Sequence, residues 1–408
     1  MLKNETLDKF ADLVLQVGIN LQVGQGLEVA CPTSKREVAV AFTRAAYKLG
    51  AKIVRIRWSD EEVERLNYEC AQLSALTNVP KWFVDGKMDL VKNGFCYVAI
   101  SAENPKAFEG VDAVRLSKSA KARAIALKKF SNEVMSNGIR WCVVSVPTLE
   151  WAKLVFPTSS NPESDLSNLI EDTMRLNEES PVDAWKKHIE TLNKRANFLN
   201  ESKFTKLIFT NSLGTNLSVG LCEDAIWLSA EEVAKDGIKF VANMPTEEVF
   251  TAPHKDRVDG IVKSALPLCE NGTLIKDFSL TFKNGKIVDF YAKEGYETLK
   301  ELINTDNGTK RLGEVALIGK NSPIAKRKVL LYNTLFDENA SCHLAIGEGY
   351  PTTVKNGANL TKKELTKKGL NNSNMHVDFM IGTPDLNVVG VKENGEKVQI
   401  FIDGEWAI

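Results

Sequence analysis

Apolar residues recur at helical spacing from the start of the chain. Leu7, Phe10, Ala11, Val14 and Val17 lie three or four positions apart within residues 5–18 and predict an amphipathic helix. The period then alternates. Leu27 to Cys31 reads as a short strand, 35–48 as a helix, and Lys52 to Ile56 as a second strand. Apolar strands follow at 95–101 and 140–146, with a Lys-rich helical stretch at 117–136 between them. Two more helices are predicted at about 162–177 and 181–200, the second with Pro181 near its start, where a missing N–H costs nothing. Strands separated by helices imply crossover connections and a mostly parallel sheet.

After Ser202 the pattern changes to short strands: Lys206 to Thr210, Asn216 to Val219 and Lys239 to Ala242. Ser279 to Phe282 and Ile287 to Tyr291 flank Asn284-Gly285, a two-residue hairpin turn, and Asn394-Gly395 repeats the signal before Val398 to Phe401. A single helix, 294–304, interrupts this region. The expected architecture is an α/β N-terminal domain with a mostly parallel sheet over residues 1–202. A β-rich α+β domain follows over 203–408.

Composition narrows the functional classes. Among 408 residues, 52 Lys and Arg face 53 Asp and Glu, for a net charge of −1. Nothing in that balance favours nucleic acid or a membrane surface as a partner. The N-terminus lacks the apolar core of a signal peptide, and no run of 18 apolar residues could span a bilayer. Seven scattered Cys without a C-x-x-C pair argue for a reducing, cytoplasmic setting. Gly24-Gln25-Gly26 precedes a strand instead of capping a helix, so it fails as a dinucleotide fingerprint. The Lys118–Lys129 segment is expected to bury Ala120, Ala124 and Leu127 and expose a solvated basic face.

Chemistry that needs imidazole must come from four histidines. His188 lies in a polar helical stretch and reads as a surface residue; His254 reads as a loop residue. His376 and Asp378 are two apart in a strand pattern, so both point to one face. His343 sits before the apolar Leu344, Ala345 and Ile346. Glu314 is a lone carboxylate in the apolar run 312–318, where burial costs several kcal/mol unless it is paired or coordinated. Glu247 and Glu248 lead into Val249 and Phe250; as neighbours on an extended chain they face opposite ways. Imidazoles with carboxylates suit Zn, Co or Mn, and shared carboxylates suit a pair of such ions. On these residues alone a metal site and a scattered set of core ion pairs both stand.

Four ordered segments carry a resemblance: NMPTEEVFTAP (243–253), LGEVALIG (312–319), FDENASCHLAIGEGY (336–350) and GLNNSNMHVDFMIG (369–382). Together they resemble the thermophilic-type metalloaminopeptidases, the family of aminopeptidase T, aminopeptidase S and PepS. The resemblance runs along essentially the whole chain. It implies two divalent ions per subunit (Zn, Co or Mn) held by Glu248, Glu314, His343, His376 and Asp378, with Glu314 bridging. It places Tyr350 beside the reacting carbonyl, and Glu247, next to a ligand, is a candidate for passing a proton to the leaving amine. The implied reaction removes the N-terminal residue from short peptides by a water activated between two metals. The implied assembly is a homodimer with an internal cavity. Competing readings are a dinuclear amidase or carboxypeptidase, and a non-catalytic protein whose acids and histidines form core ion pairs.

Overall fold

The structure, a computed structural model, describes residues 4–102, 104, 106–270 and 273–408. Contacts divide the chain into two compact units, 1–187 with 231–245, and 188–230 with 246–408. The division thus falls inside the helix Pro181–Ser202, and the segment 231–245 returns to the first unit, whereas the sequence suggested one cut after Ser202.

In the first unit a five-stranded sheet runs in the order Ile53–Ser59, Gly26–Pro32, Cys96–Ser101, Trp141–Ser145, Asn243–Met244, parallel at every pairing. The helix Arg36–Lys48 makes the first crossover. Its Val38, Ala39, Phe42, Ala45 and Ala46 recur at three- and four-residue spacing and are buried, with Phe42 edge-on to Phe10 of the opening helix at 5.8 Å. The basic helix Ala113–Met135 departs from expectation: none of its residues is fully buried, and Ala120 and Ala124 are exposed. An alanine methyl offers little apolar area, so the helix rests instead on half-buried Leu116, Leu127 and Phe130. None of the described helices is long and apolar enough to cross a membrane.

The second unit is built on antiparallel sheets. Eight strands pair in the order Lys286–Tyr291, Ser279–Lys283, Pro253–Lys263, Asn216–Leu221, Phe204–Thr210, Asn387–Lys392, Lys397–Ile402, Glu405–Trp406. The Asn284-Gly285 turn closes the first hairpin with both residues at positive φ (50° and 77°), the geometry that a two-residue hairpin demands. His254 lies on the strand Pro253–Lys263, not in a loop, and its Nδ1 accepts the Asp256 N–H. A separate four-stranded antiparallel sheet, in the order Val249–Thr251, Leu312–Leu317, His343–Gly347, His376–Met380, carries the candidate chemistry.

Candidate metal centre

The register of the four-stranded sheet assembles the site. Glu314 lies opposite Ala345, and Ala345 lies opposite Asp378, so the two carboxylates flank a single methyl group. His343 precedes Ala345 by two residues and His376 precedes Asp378 by two, which puts both imidazoles on the same face. Glu248 stands one residue before the edge strand, whose Val249 pairs with Leu317. A bulge at Gly313 inserts one residue between the pairs Leu312–Ile346 and Glu314–Ala345 and so aims Glu314 at this face. Only glycine fits at the bulge, because a Cβ there would meet the Glu348 carbonyl oxygen at 2.2 Å.

The polar atoms converge closely. His343 Nε2 lies 3.3 Å from Glu314 Oε1 and 3.4 Å from Glu248 Oε2. His376 Nε2 lies 3.3 Å from Asp378 Oδ1 and 3.7 Å from the other Glu314 oxygen. Two ligand groups result: Glu248, Glu314 and His343, and then Glu314, His376 and Asp378. Glu314 belongs to both, one oxygen towards each. The second nitrogen of each imidazole is held by backbone: His376 Nδ1 is 2.7 Å from the Glu348 carbonyl and His343 Nδ1 is 3.4 Å from that of Ser341. Such contacts fix ring orientation and leave Nε2 for the site. The segment before His376 is pinned in turn, with Asn371 donating to the Gly308 and Gly347 carbonyls and Asp306 accepting from Ser373 and Asn374.

Carboxylates dominate the electrostatics of this face. Burial disfavours protonation of His343, yet hydrogen bonding to Glu314 and the charges of Asp378 and Glu248 outweigh it and lift the imidazole to about 10. His376 reaches about 10 in the same way, with Asp378 the main partner opposing its burial. Burial, with Glu314 and Asp378 nearby, raises Glu248 to about 8 despite His343. Asp378 Oδ1 is buried and accepts no well-aligned hydrogen bond.

Tyr350 packs its ring 4.7 Å from that of His376 and edge-on to Phe250 at 6.4 Å. Burial and the surrounding carboxylates hold its phenol protonated well above the usual range. Glu247, as alternation requires, turns away from the ligand cluster: its Oε2 is 3.6 Å from His188 Nε2, while its backbone N–H donates to Asn339 Oδ1. His188 is therefore not a surface residue. Only about 11% of its side chain is exposed, and its Nε2 is 2.9 Å from the Thr246 carbonyl.

Glu338 was not singled out by the sequence. Its carboxyl is pushed well up by burial and by the charges of Glu248, Asp378 and Glu314. It lies in the 3₁₀ turn Glu338–Ala340, which has no period-two or 3.6-residue pattern to mark one face. The one available signal was its place five residues before His343. With Glu338 included, four carboxyl groups crowd around two imidazoles, and burial among like charges raises both Glu338 and Glu248 above their ordinary range. The donor set, the orphaned Asp378 oxygen and this crowding of carboxyl groups fit hard-to-borderline divalent cations.

Comparisons with known proteins agree with that chemistry. Residues 3–406 match the model of the thermophilic metalloprotease (M29) family. The chain is 41% identical to aminopeptidase AmpS of Bacillus subtilis over 406 residues, covering 99% of each. It is 40% identical to aminopeptidase PepS of Streptococcus thermophilus over 407 residues, covering 99% of this chain and 98% of the relative. The solved structure of wild-type AmpT from Thermus thermophilus superposes with a TM-score of 0.92 at 33% identity, covering 99% of both chains. The chain belongs to the thermophilic metalloprotease (M29) family. Within it, the chain is a peptide hydrolase of the metalloaminopeptidase class for which these relatives are named.

Proposed function

We propose that the protein removes the N-terminal residue from short peptides with a free N-terminus, using two divalent ions of the Zn, Co or Mn type. The observation that carries this reading is the Glu314 carboxylate, which offers one oxygen to the Glu248–His343 group and the other to the His376–Asp378 group. Glu248 and His343 would hold one ion, His376 and Asp378 the second, with Glu314 shared. When bound, the ions supply Lewis acidity to the scissile carbonyl and to the attacking water.

The protein groups carry the remaining work. Tyr350, kept protonated beside His376, donates its phenol to the oxygen of the tetrahedral intermediate. Glu338 is assigned the proton transfer from water to the leaving amine, because its buried carboxyl lies beside Glu248, Asp378 and Glu314, whose charges favour its holding a proton. Glu247 is better placed to position its neighbour Glu248, because its carboxylate faces His188 instead of the ligand cluster.

Exposed apolar side chains on the first unit, including Trp82 and Ile125, support self-association as a homodimer. Seven free cysteines support a cytoplasmic location. The deciding assay compares a tripeptide with its N-acetylated form on metal-loaded protein. An aminopeptidase releases the first residue from the free peptide and leaves the blocked one intact. Equal cleavage of both, or release from the C-terminal end, would establish an amidase or carboxypeptidase instead.

A further inference from the structure

A cavity of about 750 Å³ opens beyond one end of the four-stranded sheet. Its floor is apolar, with Ile318, Ile324 and Leu386 buried in it, and its rim carries Lys320, Lys326 and Lys328. No Asp or Glu lines it. None of the three ammonium groups forms an ion pair among the described residues, and Lys320 Nζ donates only to the Pro384 carbonyl, at 3.2 Å. Glu405, behind the rim, is engaged by the Asn321 and Trp406 backbone N–H groups. The cavity is thus an apolar pocket with three lysines free of ion pairs on its rim, complementary to a carboxylate on a largely uncharged body.

Its walls continue the strands that carry the candidate ligands. Ile318 follows Glu314 by four residues, Gly382 follows Asp378 by four, and Ser341 precedes His343 by two. These short offsets put the cavity wall just past the strand ends at Leu317, His343 and Met380. At ~3.3 Å per residue they place the cavity wall ~7–13 Å along the backbone from the cluster. An extended peptide whose first residue lies over the cluster covers that distance in about three or four residues.

We propose that this cavity is the subsite for the C-terminal carboxylate of a short peptide substrate, so that the enzyme favours peptides of about three to five residues with both termini free. The inference rests on the aminopeptidase reading and deepens it, since it assigns the far end of the substrate. The ammonium groups are solvent-exposed. Each pairing therefore changes binding only ~2- to 5-fold, and the effect accumulates over the three.

The test compares a tetrapeptide acid, its C-terminal amide, the same amide with Glu at its last position, and an aminoacyl anilide. Each is measured on metal-loaded wild type and on the K320Q/K326Q/K328Q variant. The wild type is expected to show a KM about 5- to 20-fold lower for the acid than for the amide, with kcat within about twofold. The variant loses that preference and cleaves the anilide at the wild-type rate. Recovery of the low KM by the Glu-bearing amide identifies a side-chain carboxylate as an equivalent source. Equal KM values for acid and amide in the wild type, or a preference that survives in the variant, overturn the proposal. Equilibrium binding of the acid and amide reads the same preference without turnover. Failure to cleave the anilide therefore counts against the aminopeptidase reading, while the binding ratio still decides the subsite.

Discussion

The side-chain oxygen of Asn339 accepts the backbone N–H of Glu247 at 2.7 Å, and neither residue is exposed. The amide nitrogen of Asn339 donates to the Leu335 carbonyl at 3.0 Å and approaches Glu338 Oε1 at 3.5 Å. One buried amide therefore ties the Thr246–Glu247 peptide unit, one residue ahead of Glu248, to the turn that presents Glu338. Asn339→Ala leaves the Glu247 N–H buried without this acceptor, at a cost of ~1–3 kcal/mol. Chemical denaturation should register that loss, and chelator competition should show weaker metal binding as Glu248 loses its fixed position. Wild-type stability and metal affinity in the variant would remove Asn339 from the site.

Glu314 is the one residue common to both ligand groups. Glu314→Gln keeps the shape of the side chain and one acceptor oxygen but removes the charge that two ions would share. The expected result is loss of at least one equivalent of bound metal and of nearly all peptide hydrolysis, with far-ultraviolet circular dichroism unchanged. Metal analysis after dialysis is the direct check. Full occupancy with full activity would place the chemistry elsewhere.

The separation between what the sequence disclosed and what it hid has a physical basis. The parallel sheet of the first unit and the Asn284-Gly285 hairpin depend on local period and turn chemistry, and both are found where those signals lie. His376 and Asp378 were placed on one face because strand geometry sets that relation within three residues. Glu338 and His188 were missed because their surroundings come from residues distant in sequence: Glu248 and Asp378 for the first, Thr246 and Glu247 for the second. The return of 231–245 to the first unit is a tertiary fact of the same kind. The basic helix failed for a different reason. Helical spacing of alanines identifies a face but does not make that face apolar enough to be buried.

Tyr350 carries a phenol that burial and nearby carboxylates keep protonated. Tyr350→Phe preserves the ring contacts with His376 and Phe250 and deletes only the donor. If the phenol serves the tetrahedral oxyanion, kcat should fall ~10²–10³-fold with KM and metal content nearly unchanged. Steady-state kinetics on an unblocked tripeptide, with metal analysis of the same sample, separates this from loss of binding. A change confined to KM would make Tyr350 a contact for the bound substrate only.

In the metal-free protein the two imidazoles are raised from 6.5 to about 10, and Glu248 is raised from 4.5 to about 8. A group whose pKa is higher in the folded state binds its proton more tightly there. Its stabilising contribution is complete below the unfolded value and is lost as pH rises through the folded one. For the histidines that window runs from about 6.5 to 10, and for Glu248 from about 4.5 to 8, so all three act in the same direction. The chelated protein should therefore lose thermal stability progressively between about pH 6.5 and 10. Divalent ions take the place of those protons, so metal affinity should rise over the same interval as fewer protons need to be displaced. The difference in Tm between metal-loaded and chelated protein, measured by calorimetry at fixed ion concentration, should widen with pH across this window. A difference that stays constant from pH 6.5 to 10 would show that the imidazoles are not displacing protons for metal, and with it the proposed ligand set would fall.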